Sequence, residues 1–359
     1  MTTTQRFSAV DKAVIVSTGN TFVVCGSSTA QTINTSDLIK TDGTFTRDWT
    51  QSGSTASLNV LAGSTILYAE LVWYSTVFSN VSGALDLRSI QDSAITFTTS
   101  KGSYQITPTF TDSNTGISGT IDRFRAADVT SYVQNAMSGN YTVSKVPISV
   151  PSTGLSNSRG GWSLNVIYRN NALLPQKVIY NSGIAVATPN TPLQSTITGF
   201  TTSSDPTLLK GSISMIVANG QPLNGDEYVY VGPSFAQLSN IGNTVYSPNP
   251  NPGTAPNNPG NSFFSGVINV ADPLNVNNGL LNINGTNGTH NNDGFVPTQV
   301  VGARNKWDIT NVNISNTLVP NQSLIAGQIT TGALGDGVQL VALGAQVYAK
   351  APNVIVTLD

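Results

Sequence analysis

The chain has 359 residues, of which 39% are hydrophobic and only 9% are charged, with a net charge of −2, where a soluble protein ordinarily carries about 25% charged residues. So weak a field cannot gather phosphates, and no apolar run approaches the roughly 18–20 residues of a spanning helix, which argues against nucleic acid and a membrane span alike. One cysteine, Cys25, and one histidine, His290, exclude an intramolecular disulfide and a zinc site built from Cys and His clusters.

The opening MTTTQRFSAVDKAVIV lacks the basic start, apolar core and small-residue cleavage site of a secretory signal. Its alternation, with Val10, Lys12, Val14 and Val16 on one side and Ala13, Ile15 and Ser17 on the other, predicts a strand. Residues 1–24 are read as an N-terminal strand segment and a candidate assembly arm, with Cys25 just beyond it at a strand end in TFVVCGSST, able to pair only with another chain, to stay free, or to be buried. In TILYAELVWYSTV, Leu67, Ala69, Leu71 and Trp73 face one way and Ile66, Tyr68, Glu70, Val72 and Tyr74 the other. Both faces are largely apolar, which predicts a central strand covered on two sides.

Strand signals continue in AITFTTSKGSYQITPTF, and then the period changes. DVTSYVQNAM places Val129, Tyr132, Val133, Ala136 and Met137 at helical spacing, with Asp128 positioned to cap the first turn. In GWSLNVIYRN, Trp162, Leu164, Val166 and Tyr168 are expected to point into a core and Ser163, Asn165 and Arg169 toward water. Further strand runs, QKVIYNSGIAVA, QSTITGF, GSISMIVANG, EYVYVG, SFFSGVINV, GVQLVALGAQVYA and NVIVTLD, are separated by Gly, Asn, Pro, Asp and Ser clusters. Prolines from Pro248 to Pro259, interleaved with Asn and Gly, predict an exposed loop over 247–262.

The order of these runs repeats. TILYAELVWYS, AITFTT, ADVTSYV and GGWSLNVIYRN are answered by GSISMIVANG, EYVYVG, WDITNVNI and GDGVQLVALGAQV. The expected fold is all-β: two jelly-roll-like β-sandwich domains in tandem, residues 25–188 and 189–359, with a short helix after Asp128 and a terminal strand at 352–359.

Catalytic chemistry finds few bearers. Only Glu70 and Glu227 are glutamates, and Glu70 sits mid-strand, where a paired residue is expected rather than an acid catalyst. His290 lies in NGTNGTHNNDG, a Gly/Asn loop, and no nucleophile elbow occurs. No cofactor is expected. Asp226, Glu227, Asp293 and Asp336, all near turns, offer oxygen ligands for calcium without EF-hand spacing. For a sugar ligand, Trp49 and Trp307 lie near turns and are the stacking candidates, whereas Trp73 and Trp162 read as core.

FSAVDKAVIVSTGNTF, LNVLAGSTILYAELVWYSTV, ADVTSYV followed by GNYTV, GGWSLNVIYRN, ITGFTT and GDGVQLVALGAQVYAKAPNVIVTLD together span most of the chain. With these pieces it resembles the N-terminal module of repeat-containing surface proteins of spore-forming Gram-positive bacteria. The resemblance implies a structural or adhesive role at a cell or spore surface and no enzyme; GARNKWDIT is poorer in Asp than the corresponding turn of that family, which weakens any metal site. Lack of an export signal fits a protein made in the mother cell and exposed by its lysis. The expected function is a self-assembling structural subunit joined by strand addition, with Val14, Val16, Val354, Val356 and Cys25 at the contact. The expected partners are further copies of the chain, other surface proteins or glycans. The competing reading is a monomeric carbohydrate- or surface-polymer-binding module using Trp49 and Trp307.

Overall fold

The computed structural model describes residues 3–25, 36–78, 83–115, 120–151, 158–189, 191–220, 227–242, 263–264, 266, 268, 272–277, 280–282, 307–332 and 337–349. The first part runs β1 (Thr4–Asp11), β2 (Ala13–Thr21), β3 (Val23–Cys25), β4 (Ser36–Ile39), β5 (Phe45–Thr46), β6 (Gly53–Leu58), β7 (Thr65–Phe78), β8 (Ile95–Thr99), β9 (Gly102–Ile106), β10 (Phe110–Thr115), β11 (Thr120–Asp128), helix α1 (Thr130–Ala136), β12 (Gly139–Ser144) and β13 (Gly160–Arg169). The second runs β14 (Gln176–Ala187), β15 (Leu193–Thr198), β16 (Gly211–Ala218), β17 (Glu227–Gly232), β18 (Ser239–Asn240), β19 (Asp272–Asn277), β20 (Leu280–Asn282), β21 (Trp307–Asn313), β22 (Leu324–Thr331) and β23 (Val338–Tyr348).

Four antiparallel sheets carry the fold. The first sandwich has an outer sheet β6-β12-β8-β9 and an inner sheet β10-β11-β7-β13-β2. The second has an inner sheet β1-β14-β23-β16-β21 and an outer sheet β15-β22-β17-β18. Without the added strands β10 and β1, the connectivities coincide: β2, β6, β7, β8, β9, β11, β12 and β13 correspond in order to β14, β15, β16, β17, β18, β21, β22 and β23. This is the pairing of an eight-stranded jelly roll, present twice.

Two departures from the sequence reading follow from the pairing. Strand β14, expected in the first domain, pairs with β1 and β23 and so belongs to a sheet of the second sandwich; the sheets change hands between Arg169 and Gln176 rather than at 188/189. The N-terminal segment is divided, β2 pairing with β13 of the first sandwich and β1 with β14 of the second.

Three apolar layers fill the stack. Between the sheets of the first sandwich lie Leu71, Trp73, Phe97, Tyr141, Trp162, Leu164 and Val166. Between those of the second lie Met215, Val217, Val229, Ile325 and Leu340. The third layer, Ile15, Tyr74, Phe124, Tyr180, Ile216, Trp307 and Val341, joins the two inner sheets face to face. That layer explains β7, whose Leu71 and Trp73 enter one core while Val72 and Tyr74 enter the interface. A register shift opposite Ile167 and Tyr168 bulges the strand at Leu67, which puts Ile66 on the core side, opposite to the plain alternation.

The same layer corrects the expectation that β13 has a wet face. Arg169 is exposed, but Ser163 and Asn165 are buried against the second sandwich. The helix begins one residue later than DVTSYVQNAM suggests. Val129 is its N-cap residue, and Asp128 Oδ1 accepts from the Thr130 amide at 2.9 Å.

Candidate assembly surfaces

Assembly by strand addition depends on which strands are locked into their own chain and which edges stay open. Strand β2 is locked. All its described side chains are buried, Val14 and Val16 in the first core and Ala13 and Ile15 in the interface. The expectation that Val14 and Val16 serve a contact between chains is therefore corrected: withdrawing them empties the core they fill. Gly344 completes the fit, since a Cβ there would stand 2.7 Å from Ile15 Cδ1.

Strand β1 is an added edge strand pinned by Arg6. Arg6 Nε donates to Ser182 Oγ at 3.0 Å and stands 3.5 Å from Glu70 Oε1, while its guanidinium carbon lies 3.8 Å from the centre of the Phe110 ring. One side chain thus ties β1 to β14, to β7 and to β10. Glu70 also accepts from Tyr180 OH at 2.8 Å and from Tyr68 OH at 3.2 Å. Burial raises the Glu70 carboxyl above its ordinary value, against the opposing bonds from Ser182 and Tyr180 and the charge of Arg6. Burial, then the Glu70 charge, pushes the Tyr180 phenol well up. Glu70 is thus a mid-strand glutamate paired within the interface.

A second buried polar cluster closes the far end of the interface. Asp122, fully buried, accepts from Thr76 Oγ1 at 2.9 Å, from Gln339 Nε2 at 2.6 Å and from Arg159 Nη1 at 3.3 Å. Tyr74 OH donates to Gln339 Oε1 at 2.8 Å. Between the clusters, Ser214 Oγ meets Ser17 Oγ at 3.0 Å and the Ile15 amide donates to Gln346 Oε1 at 2.8 Å. Serine, glutamine and tyrosine side chains of the inner sheets thus bond across the interface, while on β13 Asn165 Nδ2 donates to Ser163 Oγ at 3.0 Å within the strand.

The tryptophans separate. Trp307, proposed for sugar stacking, is fully buried in the interface and stacks on Tyr74 at 6.1 Å; its place on β21, an inner-sheet strand, removes it from any ligand surface. Trp49 is half-buried in a 3-10 turn, Trp49–Gln51, and packs on the first core. Asp48 caps that turn, Oδ1 accepting from the Thr50 hydroxyl at 2.6 Å and from the Thr50 amide at 2.9 Å, and these bonds hold its carboxyl below the usual range. Trp73 and Trp162 are core residues, and Trp162 Nε1 donates to Ser54 Oγ at 2.9 Å.

Edges are treated unequally. At β6, the first sandwich's outer edge, Thr18 Oγ1 donates to the Ser57 carbonyl at 2.7 Å and Asn20 Nδ2 to the Thr55 carbonyl at 2.9 Å, so side chains of β2 cover edge acceptors. At β10, Asp112 Oδ2 accepts from the Ile184 amide at 3.3 Å. At β1, Arg6 and Asp11 bring charge and a register shift lies between Gln5 and Phe7. The counterpart of β6 in the second sandwich, β15, has six residues, LQSTIT, without charge, proline or register shift. Sequence reading overlooked this edge, although its signal, an uncharged strand in a protein poor in charge, was legible.

Cys25 ends β3, its backbone opposite Ser36; its side chain, His290, the loop 247–262, Val354, Val356 and calcium candidates Asp226, Asp293 and Asp336 lie outside the described residues. Glu227 is buried. Among the described residues no three His, Cys, Asp or Glu side chains gather around a common point, and no helix is long and apolar enough to cross a membrane. No family model matches the chain, and no curated protein matches it.

Proposed function

We propose that the protein is a non-enzymatic structural subunit of a cell- or spore-surface assembly, joined by strand addition between chains. The observation that carries this reading is β1, which joins the edge of a sheet belonging to the other sandwich. Strand addition between sandwich units is thus already in use inside the chain. The same kind of contact between chains is heterologous and does not close, so it propagates into filaments or lattices. A chain with 9% charged residues has little means of blunting its edges, which supports the reading.

Electron microscopy and light scattering of the purified full-length chain at rising concentration test this. Ordered filaments or sheets are the expected outcome. Uniform single particles at every concentration refute it and favour the glycan-binding alternative. That alternative then requires a reproducible hit on a glycan array that is lost in Trp49→Ala.

A further inference from the structure

We propose that Arg125 and Trp73 hold a small monovalent anion, of the halide class, inside the first sandwich. Both side chains are fully buried. They stand opposite each other in the ladder between β11 and β7, so they are neighbours on one face of the inner sheet. Each keeps a buried N–H that meets no acceptor among the described residues, Nε of Arg125 and Nε1 of Trp73. Buried polar groups are ordinarily bonded, and a buried charge is paired or binds an ion.

The charge on Arg125 sets it apart. Arg6, Arg88, Arg123, Arg159 and Arg169 each meet a carboxylate, that of Glu70, Asp86, Asp92, Asp122 and Asp11 in turn. Arg125, more deeply buried than any of these, makes no ion pair among the described residues. It bonds only neutral oxygens: Nη1 donates to the Gln91 carbonyl at 2.8 Å, and Nη2 to the Ser75 hydroxyl and, at 3.2 Å, to the Arg123 carbonyl. Asp92, whose charge reaches Arg125, is itself engaged by Arg123, which donates from Nε to Oδ1 at 2.9 Å and from Nη2 to Oδ2. Burial pushes the Arg125 guanidinium down to about 9, which leaves it charged at neutral pH. An anion beside Nε supplies the compensation that neutral oxygens do not.

The bonds already made select the ion. Carboxylates and phosphates are gripped by two parallel N–H groups of a guanidinium. Both such pairs, Nε with Nη2 and Nη1 with Nη2, use Nη2, whose two protons go to Ser75 and Arg123. The Ser75 hydroxyl passes its own proton to the Pro147 carbonyl at 2.8 Å, so this arrangement is closed. What remains is one N–H from Arg125 and one from Trp73, point donors that suit a monatomic anion. The Gln91 side-chain oxygen is also buried without a partner among the described residues, and turning that amide over replaces the acceptor with an N–H donor. Water can accept from the same N–H groups but leaves the charge uncompensated. With its charge balanced, Arg125 clamps the segment from Leu85 to Asp92, which Arg123 grips beside it.

The test follows thermal unfolding of the full chain, refolded in sodium gluconate, as gluconate is exchanged for chloride or bromide at constant ionic strength. The proposal expects a midpoint that rises with halide and levels off at saturation. Arg125→Met should abolish the rise, and Trp73→Phe should raise the half-saturating concentration about tenfold, the worth of one hydrogen bond. Crystals of the unsubstituted chain in bromide should show an anomalous scattering peak beside Arg125 Nε, a reading that needs no variant to fold. Equal midpoints in gluconate and halide, or a water in place of the peak, overturn the site. So does a rise that persists in Arg125→Met, or bromide found at the surface alone, which means an adventitious ion only. An unchanged half-saturating concentration in Trp73→Phe overturns the pairing of the two donors.

Discussion

Gly161 is the tightest point of the seam between the sandwiches. A Cβ there would lie 2.3 Å from Trp307 Cδ2 and 2.5 Å from Cγ and Cε2, where carbon atoms rest at about 3.5–4.0 Å. The indole is fully buried and stacked on Tyr74, so it has little room to turn away. Relief requires the inner sheets to part by about 1 Å, and a gap of that size forfeits roughly a quarter to a half of the dispersion well across the contact. Gly161→Ala is therefore expected at the upper end of the overpacking range, about 3 kcal/mol. Trp307→Ala alone is expected to cost about 3–5 kcal/mol. Because the added methyl then enters vacated space, the double variant falls short of the sum by at least about 1 kcal/mol. Urea unfolding followed by circular dichroism measures all three. A Gly161→Ala within about 0.5 kcal/mol of the parent, or strict additivity, refutes a close-packed seam.

Other expectations concern the same interface and the core of the second sandwich. The raised Glu70 carboxyl, ordinarily near 4.5, binds its proton more tightly in the folded chain, so its contribution is full below that value and is lost as pH rises through the folded pKa. Glu70→Gln should flatten this decline, read as denaturant midpoints across that range; parallel profiles for the two proteins would count against the assignment. Asp122→Ala removes the acceptor of three donors, leaving Arg159 without its carboxylate, and should cost about 3–5 kcal/mol in the same unfolding assay; a loss under about 1 kcal/mol would show the cluster to be hydrated. Gly327→Ala meets only an ordinary contact, the Ser195 carbonyl oxygen at 4.0 Å, and should stabilise by about 0.4–1 kcal/mol through the unfolded chain, seen as a higher midpoint at unchanged slope; destabilisation would mean that the second core has no room for a methyl group there.

Local patterns carried much of this fold. Leu71, Trp73 and Val72, Tyr74 announce a strand covered on both sides, and the helical spacing of Val133 and Ala136 locates α1. The repeated order of runs reaches as far as the shared strand order of two jelly rolls. Long-range pairing was out of reach. Nothing local in β14 tells that it sides with β23, and Ser163 and Asn165 look solvated because polarity alone does not reveal a partner sheet. Trp307 misleads for a related reason: its neighbours Lys306 and Asp308 suggest a turn, while the bulk of the indole is met by Tyr74, more than two hundred residues away in the chain. Arg6 and Glu70, which pin β1, share no sequence motif.

The placement of β1 also decides how the molecule bears tension. Thr4 stands opposite Ser182 and Asp11 opposite Gln176, while Gln176 stands opposite Tyr348 and Ser182 opposite Ala342. Strands β1 and β23 therefore run parallel on either side of β14. A pull on the N-terminal end of β1 against the C-terminal end of β23 loads these ladders along their length, so the hydrogen bonds share the force in shear instead of opening one at a time. The force crosses only three adjacent strands of one sheet, and the first sandwich hangs outside the line of load.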